Sequence, residues 1–342
     1  MSALLEWGNN LIVAWQAGMP WLAGAMGAFS FLGTEEFFLL LLPVLYWSVD
    51  ASLGLRVGVI LLLSSGINGF LKLAFHAPRP YWVDARITAS GAESSFGLPS
   101  GHAQNAVAVW GTVASWLKKN WSWTAALVLV LLISLSRIYL GVHFPTDVLG
   151  GWIAGGLILW AGIRYSAAVA DWWGGQGLGA QLVAAFGASL AVVALALFGL
   201  ALAGGFQVPS EWEATAAAGV PSDEGELALD PFDAGGIVAN AGALFGLGVG
   251  WALLVAQGRR FNAGGATWKR AVRFLLGAVG VAVIWMGLRM VFPRGEDLLS
   301  QSLRYLRYAL VSFWIIYLAP VVFLKLKLAE GARDTRVTRG AR

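Results

Sequence analysis

The chain contains no cysteine and only three histidines. The first absence excludes a disulfide framework, a Cys-ligated zinc site and a thiol nucleophile. Charge is scarce too: acidic and basic residues make up 12% of the chain, about half of what a soluble domain carries. The first 55 residues hold no Lys or Arg, so the basic start of a secretory signal is missing and no such signal is expected.

Apolar sequence fills the place that charge leaves. Hydrophobic residues are 58% of the total and recur in runs of about 20, the length that crosses a bilayer as a helix. The expected fold is therefore all-α, a polytopic transmembrane helical bundle of about nine spanning helices. Their expected positions are 34–50, 53–75, 100–117, 121–141, 145–167, 178–204, 234–257, 270–292 and 305–326. The stretch 11–32 is apolar but broken at Met19-Pro20, and is expected to lie in the membrane interface. Four regions follow: an N-terminal interfacial or membrane segment, 1–33; a core of five spanning helices, 34–168; a C-terminal membrane extension of about four helices, 169–328; and a polar basic tail, 329–342.

The few charges orient this stack. Lys118 and Lys119 follow the third helix, and the segment 258–273, from the end of the seventh helix into the start of the eighth, carries Arg259, Arg260, Lys269, Arg270 and Arg273 with no acid. The loop 205–233 carries seven acids and no base, among them Asp223, Glu224 and Glu226. Alternating these segments across the membrane gathers the basic clusters on one side, the cytoplasmic side by the positive-inside bias. Loop 76–99 and the turn 141–145 then face outward, and these regions hold histidine. The pI near 9.5 reports orientation rather than a nucleic-acid partner, and none is expected. Glycines at 151 and 155, and at 242, 246 and 250, have the spacing that lets helices approach closely. Intramolecular packing is their expected use, with a homodimer face as the alternative.

Polar residues concentrate in three short segments. Lys72, Arg79 and Pro80 stand at the outer end of the second helix. Pro99-Ser100-Gly101-His102 opens the third. Ser136, Arg137, His143 and Asp147 span the end of the fourth and the start of the fifth. This is a set suited to phosphate. Lys72, Arg79 and Arg137 supply positive charge, with arginine able to fork two oxygens. Ser100 and the free amides of Gly101 and His102 begin a helix, a ready anion site. Asp147, four residues after His143, can hold one ring nitrogen and free the other for attack. His102 remains to protonate the leaving oxygen. Taken singly, each residue has an ordinary reading as an anchor, a loop or a cap. Together they point to function, because charge inside a membrane is costly. His76, between Lys72 and Arg79, is given no direct role. No metal or other cofactor is expected, since the cations already neutralise the phosphoryl oxygens.

Lys72-x6-Arg79-Pro80, Pro99-Ser100-Gly101-His102 and Ser136-Arg137-x5-His143-x3-Asp147 resemble the complete three-part signature of the type 2 phosphatidic acid phosphatase superfamily. No signature position departs from it, and the likeness covers about 30–165. The resemblance implies His143 as nucleophile, Asp147 as its partner and His102 as acid, with Lys72, Arg79, Ser100, Gly101 and Arg137 binding phosphate. Leu32–Phe37 and Tyr46–Asp50 further resemble the sphingosine-1-phosphate phosphatase-like branch, although Glu35 and Glu36 are expected at the interface rather than on substrate.

The leading expectation is thus a metal-independent hydrolase of a lipid phosphate or diphosphate, of phosphatidic acid, isoprenyl diphosphate or sphingosine-1-phosphate type. It would sit in the plasma (inner) membrane with its site on the extracytoplasmic face. A lipid phosphotransferase and a glucose-6-phosphatase-like hydrolase of a soluble ester are the alternatives. A transporter or inert lipid binder is weakened because the whole residue set is present. Arg289, Arg304 and Arg307 in the extension are expected as interface anchors, the alternative being a reach toward substrate phosphate.

Overall fold

The computed structural model describes residues 3–221, 228–293 and 295–332. Asp223, Glu224 and Glu226 of the acidic loop, and all but the first residues of the basic tail, lie outside them.

The chain is helical nearly throughout. In order the helices are α1 (Ala3–Gly18), α2 (Ala23–Phe31), α3 (Glu35–Val44, continued by a π-turn over Leu45–Val49), α4 (Ala51–Phe75), α5 (Pro80–Val83), α6 (Gly101–Leu117), α7 (Asn120–Tyr139), α8 (Pro145–Gly175), α9 (Leu178–Leu202), α10 (Ser210–Gly219), α11 (Gly235–Ala256), α12 (Thr267–Val291), α13 (Leu298–Phe313) and α14 (Ala319–Lys325). Two-residue strands, Phe261–Asn262 and Glu330–Gly331, pair antiparallel. Each of the nine expected runs is a helix. Seven helical segments among the described residues are long and apolar enough to cross a membrane, and Pro20–Phe31 with Glu35–Val49 passes as a pair bent by 49°. The ninth, α6, has 17 residues. Residues 11–32 fall in two helices separated at Met19-Pro20, where proline cannot continue the preceding helix.

The chain divides into two compact units. One comprises 1–38, 60–169 and 190–240; the other comprises 39–59, 170–189 and 241–342. In the first, α8 turns one face to α6 and the other outward. A Cβ on Gly151 would sit 2.6 Å from the Ser100 carbonyl, and one on Gly155 would sit 2.5 Å from that of Gln104. Leu149, Ile153, Leu157 and Trp160 are exposed on α8, as lipid-facing side chains are. Beneath the start of α6 a buried polar strip joins it to α4. Asn68 Nδ2 donates to Gln104 Oε1 at 2.9 Å and to the Pro99 carbonyl at 3.1 Å, and Gln104 Nε2 donates to the Ser64 carbonyl at 2.7 Å.

In the second unit, Gly242 and Gly246 of α11 lie against the backbone of Tyr305 and Ala309 on α13. Both glycine series therefore serve packing within the chain. Arg273 is fully buried and donates to the carbonyls of Asn262, Ala263 and Gly264, closing the turn before α12. Arg289 lies over the Trp285 ring and Arg307 over Tyr308, contacts fitting for anchors at a membrane interface.

Candidate active site

The three polar segments converge within the first unit, and local chain chemistry explains how. Helix α7 ends in a Schellman turn. Gly141, at φ +72°, donates its amide to the Ile138 carbonyl, and Val142 N donates to that of Arg137. The His143 amide reaches the same Arg137 carbonyl at 3.2 Å. The turn thus fixes His143 to the backbone of Arg137. One residue on, Asp147 Oδ2 accepts the Phe144 amide at 2.9 Å, the return bond of a capping box at the start of α8. Pro145 occupies the first helical position, where its missing N–H costs nothing. The Ser100 amide donates to the Asp147 carbonyl at 2.9 Å, which ties the starts of α6 and α8 together.

Arg79 binds these pieces into one site. Fully buried, it donates through Nε to the Ser95 carbonyl at 2.6 Å, through Nη1 to that of Val142 at 3.0 Å, and through Nη2 to that of Phe96 at 3.2 Å. Its Nη1 also lies 3.3 Å from His143 Nε2. On the other side of the ring, Nδ1 is 3.4 Å from Asp147 Oδ2, an ion-pair distance without hydrogen-bond alignment. Nδ1 thus faces the Asp147 side chain and Nε2 faces Arg79. His143 lies between α7 and α8, outside both. Burial, and then the Arg79 guanidinium, hold its imidazole well below the ordinary histidine range, so it is neutral at pH 7.

Four buried polar atoms of the expected site have no hydrogen-bond partner: Ser100 Oγ, His102 Nε2, Arg137 Nε and His143 Nδ1. Buried groups of this kind call for an explanation, and a binding site is one. Gly101 packs close to Asn68, with 3.0 Å between a Cβ there and Asn68 Oδ1. Gly33 lies so near His102 that a Cβ would fall 2.6 Å from the ring. His76 takes a separate place, stacked on Phe206 at 4.8 Å and edge-on to Phe96 at 5.3 Å. Among the described residues, no three His, Asp or Glu side chains converge as metal ligands.

Four residues of the site escaped sequence reasoning. Ser30, on α2, accepts from Arg137 Nη1 at 2.6 Å. Ser95 accepts from Lys72 Nζ at 2.9 Å. Asn68 supports Gly101 from below. Glu93 stands among all the cations: Oε2 accepts from Arg79 Nη2 at 2.7 Å and is 3.5 Å from Lys72 Nζ, while Oε1 accepts from Arg137 Nη2 and is 4.0 Å from His102 Nδ1. Burial alone would raise the Glu93 carboxyl, but Arg79, Lys72 and Arg137 outweigh it and hold the group well below its ordinary range. A signal for Glu93 existed. Loop 76–99 holds two acids, and the other, Asp84, pairs locally with Arg86.

Two family models match the chain: the PAP2 superfamily over residues 53–170, and the PAP2 superfamily phosphatase, transmembrane extension, over 238–331. Among known proteins it is similar to phosphatidylglycerophosphatase B of Bacillus subtilis (strain 168), 33% identical over 152 residues, which are 41% of this chain and 72% of that protein. Sphingosine-1-phosphate phosphatase 2 of Mus musculus is 31% identical over 35% of this chain and 36% of its own length. An undecaprenyl-diphosphatase of Sulfolobus acidocaldarius is 30% identical over 32% of this chain and 55% of its own. A crystal structure of the first transmembrane PAP2 type phosphatidylglycerolphosphate phosphatase from Bacillus subtilis is 28% identical. It covers 49% of this chain and 89% of that one, with a TM-score of 0.42.

Proposed function

This chain belongs to the PAP2 superfamily, and from that premise we propose that it is a membrane phosphatase hydrolysing a lipid phosphate or diphosphate through a phosphohistidine on His143. One observation carries the reading: Lys72, Arg79 and Arg137 gather around Glu93, Arg79 Nη1 lies 3.3 Å from the neutral, buried His143, and Ser100 Oγ and His102 Nε2 are buried without a partner. The relatives are named for three different lipid phosphates, and what those share is a phosphate on an apolar anchor. A site at helix ends suits that class, because the head group meets charge while the tail stays among lipid.

The proposed chemistry needs two steps. The His143 Nε2 lone pair attacks phosphorus, the bond to the leaving oxygen breaks, and His102 gives that oxygen a proton. Water, losing its proton to His102, then attacks phosphorus; a phosphorus–oxygen bond forms as the phosphorus–nitrogen bond breaks, releasing phosphate and neutral His143. Arg79, Lys72 and Arg137, with Ser100 Oγ and the amides of Gly101 and His102, would hold the phosphoryl oxygens. Asp147 would keep the ring oriented. The test is a panel of lipid monophosphates and diphosphates with purified protein in detergent. Hydrolysis should survive a chelator and be blocked by vanadate, which takes the five-coordinate geometry of the transferring phosphorus. Strict dependence on a divalent cation would overturn the mechanism.

The side of the membrane follows from the charge alternation, which supports an extracytoplasmic site in the plasma (inner) membrane. Since the chain has no native cysteine, a single introduced one reports cleanly. An impermeant thiol reagent on intact cells should label Ala85→Cys, exposed beside the site loop, and spare Asn120→Cys, exposed at the start of α7. The opposite pattern would invert the topology.

A further inference from the structure

Glu93 is a carboxylate standing where a substrate phosphate would be expected. Its two oxygens take up the groups assigned to phosphate: Arg79 Nη2 at 2.7 Å, Lys72 Nζ at 3.5 Å and Arg137 Nη2. A carboxylate and a phosphoryl group present oxygens to an arginine fork in the same way. They cannot share these donors, because two anions at that separation repel strongly at a partly desolvated site.

Access points the same way. The Glu93 side chain is 30% exposed, whereas Arg79 is 0%, Arg137 4% and Lys72 11%. Glu93 is therefore the member of the cluster that incoming phosphate meets first. Its backbone, by contrast, is pinned at both ends to one hydroxyl. Tyr81 Oη donates to the Glu93 carbonyl at 2.7 Å and accepts the Glu93 amide at 3.2 Å. The Tyr81 side chain is itself fully buried. The loop is thus anchored at the residue whose side chain must move, so exchange requires only rotation about the side-chain bonds.

Resting on the phosphatase reading above, we propose that Glu93 is an internal competitor for the phosphate site. Its carboxylate holds the cations in place between turnovers and swings aside when a substrate phosphate enters. It returns to displace inorganic phosphate after hydrolysis. The trade is between affinity and release. A site of three cations left open would retain its own product, whereas a tethered anion lowers the apparent affinity for every phosphate in proportion to the time it occupies the pocket.

The test compares wild type, Glu93→Gln and Glu93→Ala by direct binding of radiolabelled inorganic phosphate and by steady-state kinetics. If the pocket is closed nine-tenths of the time, Glu93→Gln should bind phosphate about tenfold more tightly. KM should fall with it, and kcat should fall as release slows. In Glu93→Ala, added acetate should weaken phosphate binding again by occupying the same cations. A purely structural role predicts the reverse, since cations no longer held together would bind phosphate more weakly. Unchanged or weaker binding by folded Glu93→Gln, or indifference of Glu93→Ala to acetate, overturns the proposal. If neither variant folds, Glu93→Asp serves, and its shorter reach should give an intermediate tightening; wild-type affinity there would also overturn it. Wild-type protein that binds neither inorganic phosphate nor vanadate would instead sink the phosphatase reading, and this proposal with it.

Discussion

Replacing His143 with alanine is expected to abolish lipid phosphate hydrolysis, by roughly a million-fold if it behaves as nucleophile removals do elsewhere. No neighbouring group can take its place. Asp147 is engaged by the Phe144 amide, His102 is needed as the acid, Lys72, Arg79 and Arg137 are cations, and Ser100 Oγ has no hydrogen-bonded base to activate it. The variant should also fail to form a phosphoenzyme trapped at alkaline pH with radiolabelled substrate, where a phosphorus–nitrogen bond survives. It should still bind vanadate, because Arg79, Lys72 and Arg137 remain. Near-normal turnover, or a phosphoenzyme that persists in this variant, would remove His143 from the role assigned to it.

Exchanging Arg79 for lysine should cost about a hundred- to a thousand-fold in kcat/KM, the range seen when one donor to a transition-state oxyanion is removed. The substitution keeps the charge, so the loss would report geometry. The guanidinium serves the Ser95, Val142 and Phe96 carbonyls and the Glu93 carboxylate at once. An ammonium is a point charge at the end of a flexible stem and cannot reach them all. Two effects should therefore appear together. The Val142 carbonyl, one residue before His143, loses its donor, so the nucleophile becomes less well placed. Stranded buried acceptors then cost roughly 1–3 kcal/mol each, which thermal unfolding in detergent would register. Wild-type activity in Arg79→Lys would mean that charge alone suffices at this position.

The helices were legible because each depends on its own composition. The expected run 53–75 is α4 at Ala51–Phe75, and 178–204 is α9 at Leu178–Leu202. Where the two differ, the reason is local. Helix α8 was expected to end at 167 and runs to Gly175. Bilayer width limits where a helix is apolar but not where it is helical, and the added turns include the polar Asp171. The short α5 and α10 went unforeseen, since four and ten residues hold too few turns for a periodic pattern.

The kinds of chemistry were also carried by sequence alone. Three cations, two histidines, one aspartate and a serine at a helix start suit a phosphate site wherever they land, because their charges and lone pairs are properties of the side chains. Which atoms touch which was decided by the tertiary structure. Arg137 finds Ser30 across 107 positions, Arg79 meets His143 across 64, and Glu93 reaches Arg137 across 44. No periodicity or spacing rule spans such separations, since they depend on how α2, α4, α6, α7 and the loop before α6 come together. A lone glutamate in a loop is unremarkable as sequence. Among three buried cations, the same glutamate becomes the counter-ion of the pocket, because only the folded chain removes the water that would otherwise screen it.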